Sequence, residues 1–252
     1  MLSAIKIAMA LSVALSFCTP CSSGLANEIY EIEAEDSDRE YSNGWTHRPL
    51  IELFTSLSCV YCMSYADPAM DQVVHDVEGD EANPYNVIFF HQPNGGAGDD
   101  PFHTEDSNSR MRDHYGQTGT PNAQFDGNYR YVGGGGDSNY QDYVESISES
   151  GPRDGDDGED FKVVDLDIYS EFIGSEGEAG QFKITIDVLY HGLAGEESLE
   201  QQYLGESTDL DGTLYVFMVE HGVTAYSSYL DTEWRNSMVF REYAIQDEQF
   251  TL

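Results

Sequence analysis

The sequence predicts an α/β domain, a central mixed sheet flanked by helices, followed by a small antiparallel all-β sandwich. Three observations carry this expectation. Two compact apolar runs of strand length, residues 49–55 (PLIELFT) and 87–90 (VIFF), enclose a stretch in which Tyr65, Ala69, Val73 and Val77 recur at helical spacing. Further on, two short apolar runs flank Asp126-Gly127, a dipeptide that marks a hairpin. Beyond residue 160 no helical period is seen, and strand-length alternation takes over.

Taken in order, residues 28–33 (EIYEIE) alternate and suit an edge strand, and residues 49–55 form the first core strand. A helix begins near Cys59, with Pro68 inside its pattern, where it should bend or interrupt the turn. Residues 87–90 give the second core strand. Residues 92–103 (QPNGGAGDDPFH) are a loop. A helix follows over 104–115, with Thr104 as N-cap and Glu105 and Asp106 in its first turn. Strands at 122–125 and 128–132 and a helix over about 137–148 complete the first domain, residues 27–149. The acidic stretch 150–160 (SGPRDGDDGED) is a linker. Strands are then expected at 161–170, 181–191, 214–220 and 237–244, within a second domain spanning 161–252.

Charge narrows the function classes. The chain has 252 residues, 47 acidic against 11 basic, and a formal net charge of −36. Such a field repels phosphate backbones and anionic lipid, so no nucleic-acid partner is expected. The acidic surface suits salty surroundings or, alternatively, gathers cations or basic partners.

At the N-terminus, Lys6 precedes an apolar stretch of eleven residues, 7–17, and Gly24-Leu25-Ala26 resembles a cleavage site. Residues 1–26 therefore read as a signal peptide, with lipidation at Cys18 or Cys21 as the lesser alternative. Export places the chain in an extracellular, periplasmic or envelope compartment. Nothing after residue 26 is long and apolar enough for a stable membrane span, which takes about 20 residues.

Removal of residues 1–26 leaves two of the four cysteines, Cys59 and Cys62. Cysteines three apart close too short a loop to staple a fold, so a chemical role is expected. They sit where the first core strand gives way to a helix. Unpaired N–H groups and the positive dipole end there favour thiolate, the attacking species. Cys59 is assigned as nucleophile and Cys62, one turn on, as the thiol that resolves a mixed disulfide. Two alternatives stay open: a metal-binding pair recruiting a histidine, with His91 at the end of the second core strand, and an inert disulfide. Structural zinc wants four ligands, and no second Cys-x-x-Cys or His-x-x-x-His is present. Thr120-Pro121, just before the third core strand, is the second signal, and read alone it is a trans proline opening an edge strand. The acidic runs at 154–160 and 209–212 do not fit a calcium loop, and Gly133 to Gly136 lacks a phosphate-loop ending.

These residues together resemble the thioredoxin-like superfamily, nearest to exported, outer-membrane-associated bacterial proteins. The resemblance rests on Glu52-Leu53-Phe54-Thr55-Ser56, Cys59, Cys62, Ala66-Asp67, Asp100-Pro101-Phe102, Tyr115-Gly116 and Gly119-Thr120-Pro121, and more weakly on Val239-Phe240-Arg241. It implies a thiol–disulfide oxidoreductase acting on protein thiols and disulfides, with no cofactor beyond the Cys59–Cys62 pair. It also implies a cis Thr120–Pro121 bond, and that Thr120 and Pro121 face the cysteines and orient a partner's backbone. Departures are Val60-Tyr61 between the cysteines and Met63-Ser64 after them. The family's buried acid lies six residues before the first cysteine, where this chain has Leu53, so Glu52 is the candidate proton relay. A non-catalytic binding protein on the same scaffold and a copper chaperone using Cys59, Cys62 and His91 are the rival readings.

Overall fold

The computed structural model describes residues 8–15, 49–77, 86–93, 100–127, 130–134, 136–150, 164–174, 181–190 and 211–251. The expected strand at 28–33, the cleavage and lipidation positions and most of the linker lie outside them.

Strands β1 (Ala8–Leu15), β2 (Leu50–Thr55), β3 (Asn86–His91), β4 (Asn122–Phe125) and β5 (Arg130–Gly133) precede β6 (Val164–Ile173) and β7 (Gln181–Tyr190). The last four are β8 (Asp211–Glu220), β9 (Val223–Ser227), β10 (Thr232–Asn236) and β11 (Val239–Thr251). The helices are α1 (Asp67–Val77), α2 (Glu105–Ser109) and α3 (Asn139–Ser150).

A seven-stranded mixed sheet has the order β1-β8-β11-β3-β2-β4-β5, and β9–β10 and β6–β7 form two-stranded sheets. Strand β2 pairs parallel with β3 and antiparallel with β4, which pairs antiparallel with β5. The turn after β4 holds Asp126 and Gly127 at φ 49° and 64°, the left-handed region their short side chains tolerate. Asp126 also clamps the start of β2, accepting from the Leu50 N–H at 3.2 Å and donating its own N–H to the Leu50 carbonyl at 2.8 Å.

Alternation along β2 and β3 splits the core. Ile51, Leu53, Val87 and Phe89 face Met70, Val73 and Val74 of α1 and Tyr143 of α3. Leu50, Phe54, Ile88 and Phe90 point to the other face and meet Met111, Tyr215, Phe217, Val219 and Phe240. This second face corrects the expectation of a separate antiparallel sandwich at the C-terminal end. Strands β8 and β11 instead extend the α/β sheet, β11 lying parallel to β3 at Val239↔Phe89. The aromatic face of β2 and β3 needs cover, and Phe90 stacks on Phe240 at 4.6 Å. Strands β6 and β7 do pair antiparallel with each other.

Ala8–Leu15, within the expected signal peptide, forms the edge strand β1 parallel to β8. Among the described residues no helix is long and apolar enough to cross a membrane.

Helices α1 and α2 each adjoin a π-helical turn. Cys62–Ala66 runs into α1, with the Asp67 N–H reaching back to the Cys62 carbonyl. Pro68 has no N–H to offer the preceding turn, so the i+4 ladder breaks there and widens. The expected interruption therefore lies just before the proline. Thr104 caps α2 in a reciprocal box with Ser107, and Arg110–His114 continues it as a second π-turn.

Candidate functional site

Cys59 and Cys62 form a disulfide at the C-terminal end of β2. The Cys59 carbonyl accepts the first helical bond, from Met63 N–H at 3.0 Å. The Cys62 N–H points at Cys59 Sγ from 3.1 Å. A donor aimed at sulfur at a helix start is the arrangement that, in general, favours thiolate over thiol. Cys59 Sγ lies 3.8 Å from the Thr120 carbonyl oxygen, and the Thr120–Pro121 peptide bond is cis. The structure thus brings together four expected site residues, Cys59, Cys62, Thr120 and Pro121. Cys62 is fully buried and Cys59 is 8% exposed.

The loop leading into Cys59 is tied at both ends of Leu57. Its N–H donates to Asp100 Oδ2 at 2.8 Å, and its carbonyl accepts from Ser227 Oγ at 2.7 Å. Asp100 also receives the Phe102 N–H at 2.9 Å and pairs with His91 Nδ1 at 2.9 Å. Burial acts to raise the Asp100 pKa. The His91 hydrogen bond and charge, with the two backbone N–H groups, outweigh it and hold the carboxyl below its usual range.

Glu52 takes a different place from the one expected. It lies on the sheet face opposite α1, where Arg110 Nε and an Arg110 terminal nitrogen each bond its carboxylate at 2.8 Å. Tyr115 donates a third bond to it at 2.5 Å. Strand parity is the reason, since Ile51, Leu53 and Thr55 share one face and Glu52 the other. Each bond to its carboxylate comes from this second face, and none involves a cysteine. Burial works against the charge on Arg110, but Glu52 outweighs it and raises the guanidinium pKa.

A buried acid does stand on the α1 face. Asp67, 1% exposed, accepts from the Thr55 hydroxyl, while among the described residues its Oδ2 has no hydrogen-bond partner. Burial drives its pKa up to about 6, with the Thr55 hydroxyl and His91 opposing. Thr55, Asp67, His91 and Asp100 thus make a buried polar group where β2 and β3 end. The sequence reading carried Asp67 and Asp100 only as matched motif residues. Asp67, within the helical pattern after Cys62, is the signal the sequence offers; Asp100, beside Asp99 in a glycine-rich loop, offers none.

His91 is fully buried, with Nδ1 on Asp100 and its ring edge-on to Phe102 at 5.1 Å. Phe102 belongs to the buried cluster that holds both cysteines. Among the described residues no three His, Cys, Asp or Glu side chains are grouped to hold one metal ion.

The hairpin β9–β10 at this site is not among the strands expected from the sequence. Val223, Ala225, Leu230 and Trp234 pack against the cluster of Leu57, Cys59, Cys62, Met63, Phe102 and Val239.

No protein-family model matches the chain, and no curated protein matches it. The chain is similar to a protein from Agrobacterium tumefaciens solved by X-ray crystallography, at 17% identity and a TM-score of 0.44. That likeness covers 81% of this chain and 76% of the other. A likeness at this level carries no functional argument.

Proposed function

We propose that the chain is a thioredoxin-like thiol–disulfide oxidoreductase of an exported compartment. The observation that carries this is the Cys59–Cys62 pair at a helix start, with the Cys62 N–H on Cys59 Sγ and the Thr120 carbonyl opposite. The fold assignment draws on the strand run β3-β2-β4-β5, the helices α1 and α3 on one face, and the cis Thr120–Pro121 bond. The export call rests on the leader-like composition of residues 1–26.

The chemistry balances without a further co-reactant. Cys59 thiolate attacks a partner disulfide, forming a mixed disulfide and releasing one partner thiolate. Cys62, losing its proton, attacks the Cys59 sulfur, closes the Cys59–Cys62 bond and releases the second partner thiolate. Two electrons pass to the partner, and the protons of the two thiols end on the partner's sulfurs. Run backwards, the same steps oxidise a partner dithiol. Cys59→Ser is expected to abolish insulin reduction and dithiol oxidation. Exchange that survives this substitution refutes the assignment.

A second reading is favoured by the low exposure of Cys59 beneath the hairpin. In it the disulfide is permanent and the fold a binding scaffold. Alkylation of the reduced protein against pH separates the two. A Cys59 pKa near the unperturbed ~8.5 supports the scaffold, and a clearly lower one the oxidoreductase.

A further inference from the structure

We propose that the β9–β10 hairpin is the substrate-selecting wall of the cysteine site, with Tyr229 and Tyr61 as its specificity residues. The partner they fit is an extended polypeptide segment whose reacting cysteine has an aromatic or large apolar neighbour. This rests on the oxidoreductase reading and adds what that site selects.

The hairpin is a two-stranded sheet of its own, inserted between β8 and β11. Val223, Ala225, Leu230 and Trp234 pack its inner face against the buried cluster that holds both cysteines. Two bonds pin it. Ser227 Oγ donates to the Leu57 carbonyl in the buried layer at 2.7 Å, and Ser64 Oγ donates to the Tyr229 hydroxyl at the surface at 3.1 Å. Ser64 lies three residues after Tyr61, so this second bond brings the hairpin tip to the helix face that carries Tyr61.

The surface left around the nearly covered sulfur is apolar. Val60 is 47% exposed, Tyr61 59% and Tyr229 43%, with Tyr61 stacked on Tyr65 at 6.4 Å. Exposed rigid aromatics on two separate elements offer contact area at little cost in side-chain entropy. A wall that leaves Cys59 8% exposed keeps out a sulfur fixed in a broad folded surface, whereas a slim extended segment can present one. Charge points the same way. Asp231 and Glu233 are exposed on the hairpin, and the chain's formal net charge is −36, which weighs against an acidic segment.

The test uses the reduced full-length protein and two short, net-basic peptides, each carrying its cysteine as a mixed disulfide. One has Trp beside the cysteine and the other Gly. The wild type should react with the Trp peptide about 5- to 10-fold faster in kcat/KM. In Tyr61→Ala/Tyr229→Ala that preference should fall to within about twofold, while dithiothreitol reduces the pair at least as fast as in the wild type. Tyr61→Ala alone, at an exposed position, should lose part of the preference, and Tyr229→Phe, which keeps the ring but loses the bond from Ser64, should lose less of it than Tyr229→Ala. No preference in the wild type, or a preference untouched by the double variant, overturns the proposal. If dithiothreitol fails to reduce even the wild-type pair, the oxidoreductase reading falls first and this inference with it.

Discussion

At Asp67 a carboxyl is buried with one oxygen on the Thr55 hydroxyl and the other unpartnered among the described residues, so ionising it inside the fold is costly. Its pKa is raised from 3.8 to about 6, chiefly by burial. A carboxyl that holds its proton more tightly folded than unfolded stabilises the protein least where it must ionise. Below about pH 3.8 both states are protonated and the group is neutral to stability. Between there and about pH 6 stability falls, and above that the full cost, about 3 kcal/mol, is present. Asp67→Asn is therefore expected to stabilise by up to about 3 kcal/mol at pH 8 and by little at pH 4. Urea unfolding of both proteins across that range checks it, and a gap independent of pH counts against this account of Asp67. Asp100 carries the opposite sign. Its lowered pKa adds stability above its ordinary range, and that contribution is lost as pH falls through it.

Between elements, the Glu52–Arg110 pair joins β2 to the π-turn after α2. Arg110 is also sandwiched near the rings of Tyr115 and Tyr215, at 5.1 and 4.7 Å. Removing one partner strands the other's buried charge, so Glu52→Gln should destabilise by about 3–5 kcal/mol. The exchange rate of the folded variant should stay within about threefold of the wild type. A loss of exchange as deep as that of Cys59→Ser returns Glu52 to the relay role. The local order of elements was legible because each carries its own signal. Compact apolar runs mark β2 and β3, Asp126-Gly127 marks the β4 turn, and Thr104 marks the cap of α2. What the sequence concealed is non-local. Glu52 fell to the wrong side of the expectation because its face depends on strand register, which one residue inverts. The hairpin lies between the expected strands 214–220 and 237–244, and the bond that anchors it, from Ser227 to the Leu57 carbonyl, spans 170 residues.

On the scale of the whole molecule, two features act together: a formal net charge of −36 and one sheet that runs from β5 to the C-terminal strands. Self-repulsion at that charge opposes compaction, and raising salt from 0.1 to 1 M shortens the screening length from about 10 to 3 Å. The midpoint of thermal unfolding should rise with NaCl over that range. A flat response removes salt adaptation as the account of the acidic surface. The joined sheet places the C-terminal strands, with their hairpin, against the cysteine site, so the pair's potential reflects the entire fold. The measurement that bears most directly on the central claim is the redox equilibrium of Cys59–Cys62 in glutathione or dithiothreitol buffers. The account predicts one reversible two-electron transition between about −270 and −120 mV. A pair that stays oxidised to below about −300 mV, as structural disulfides do, contradicts it.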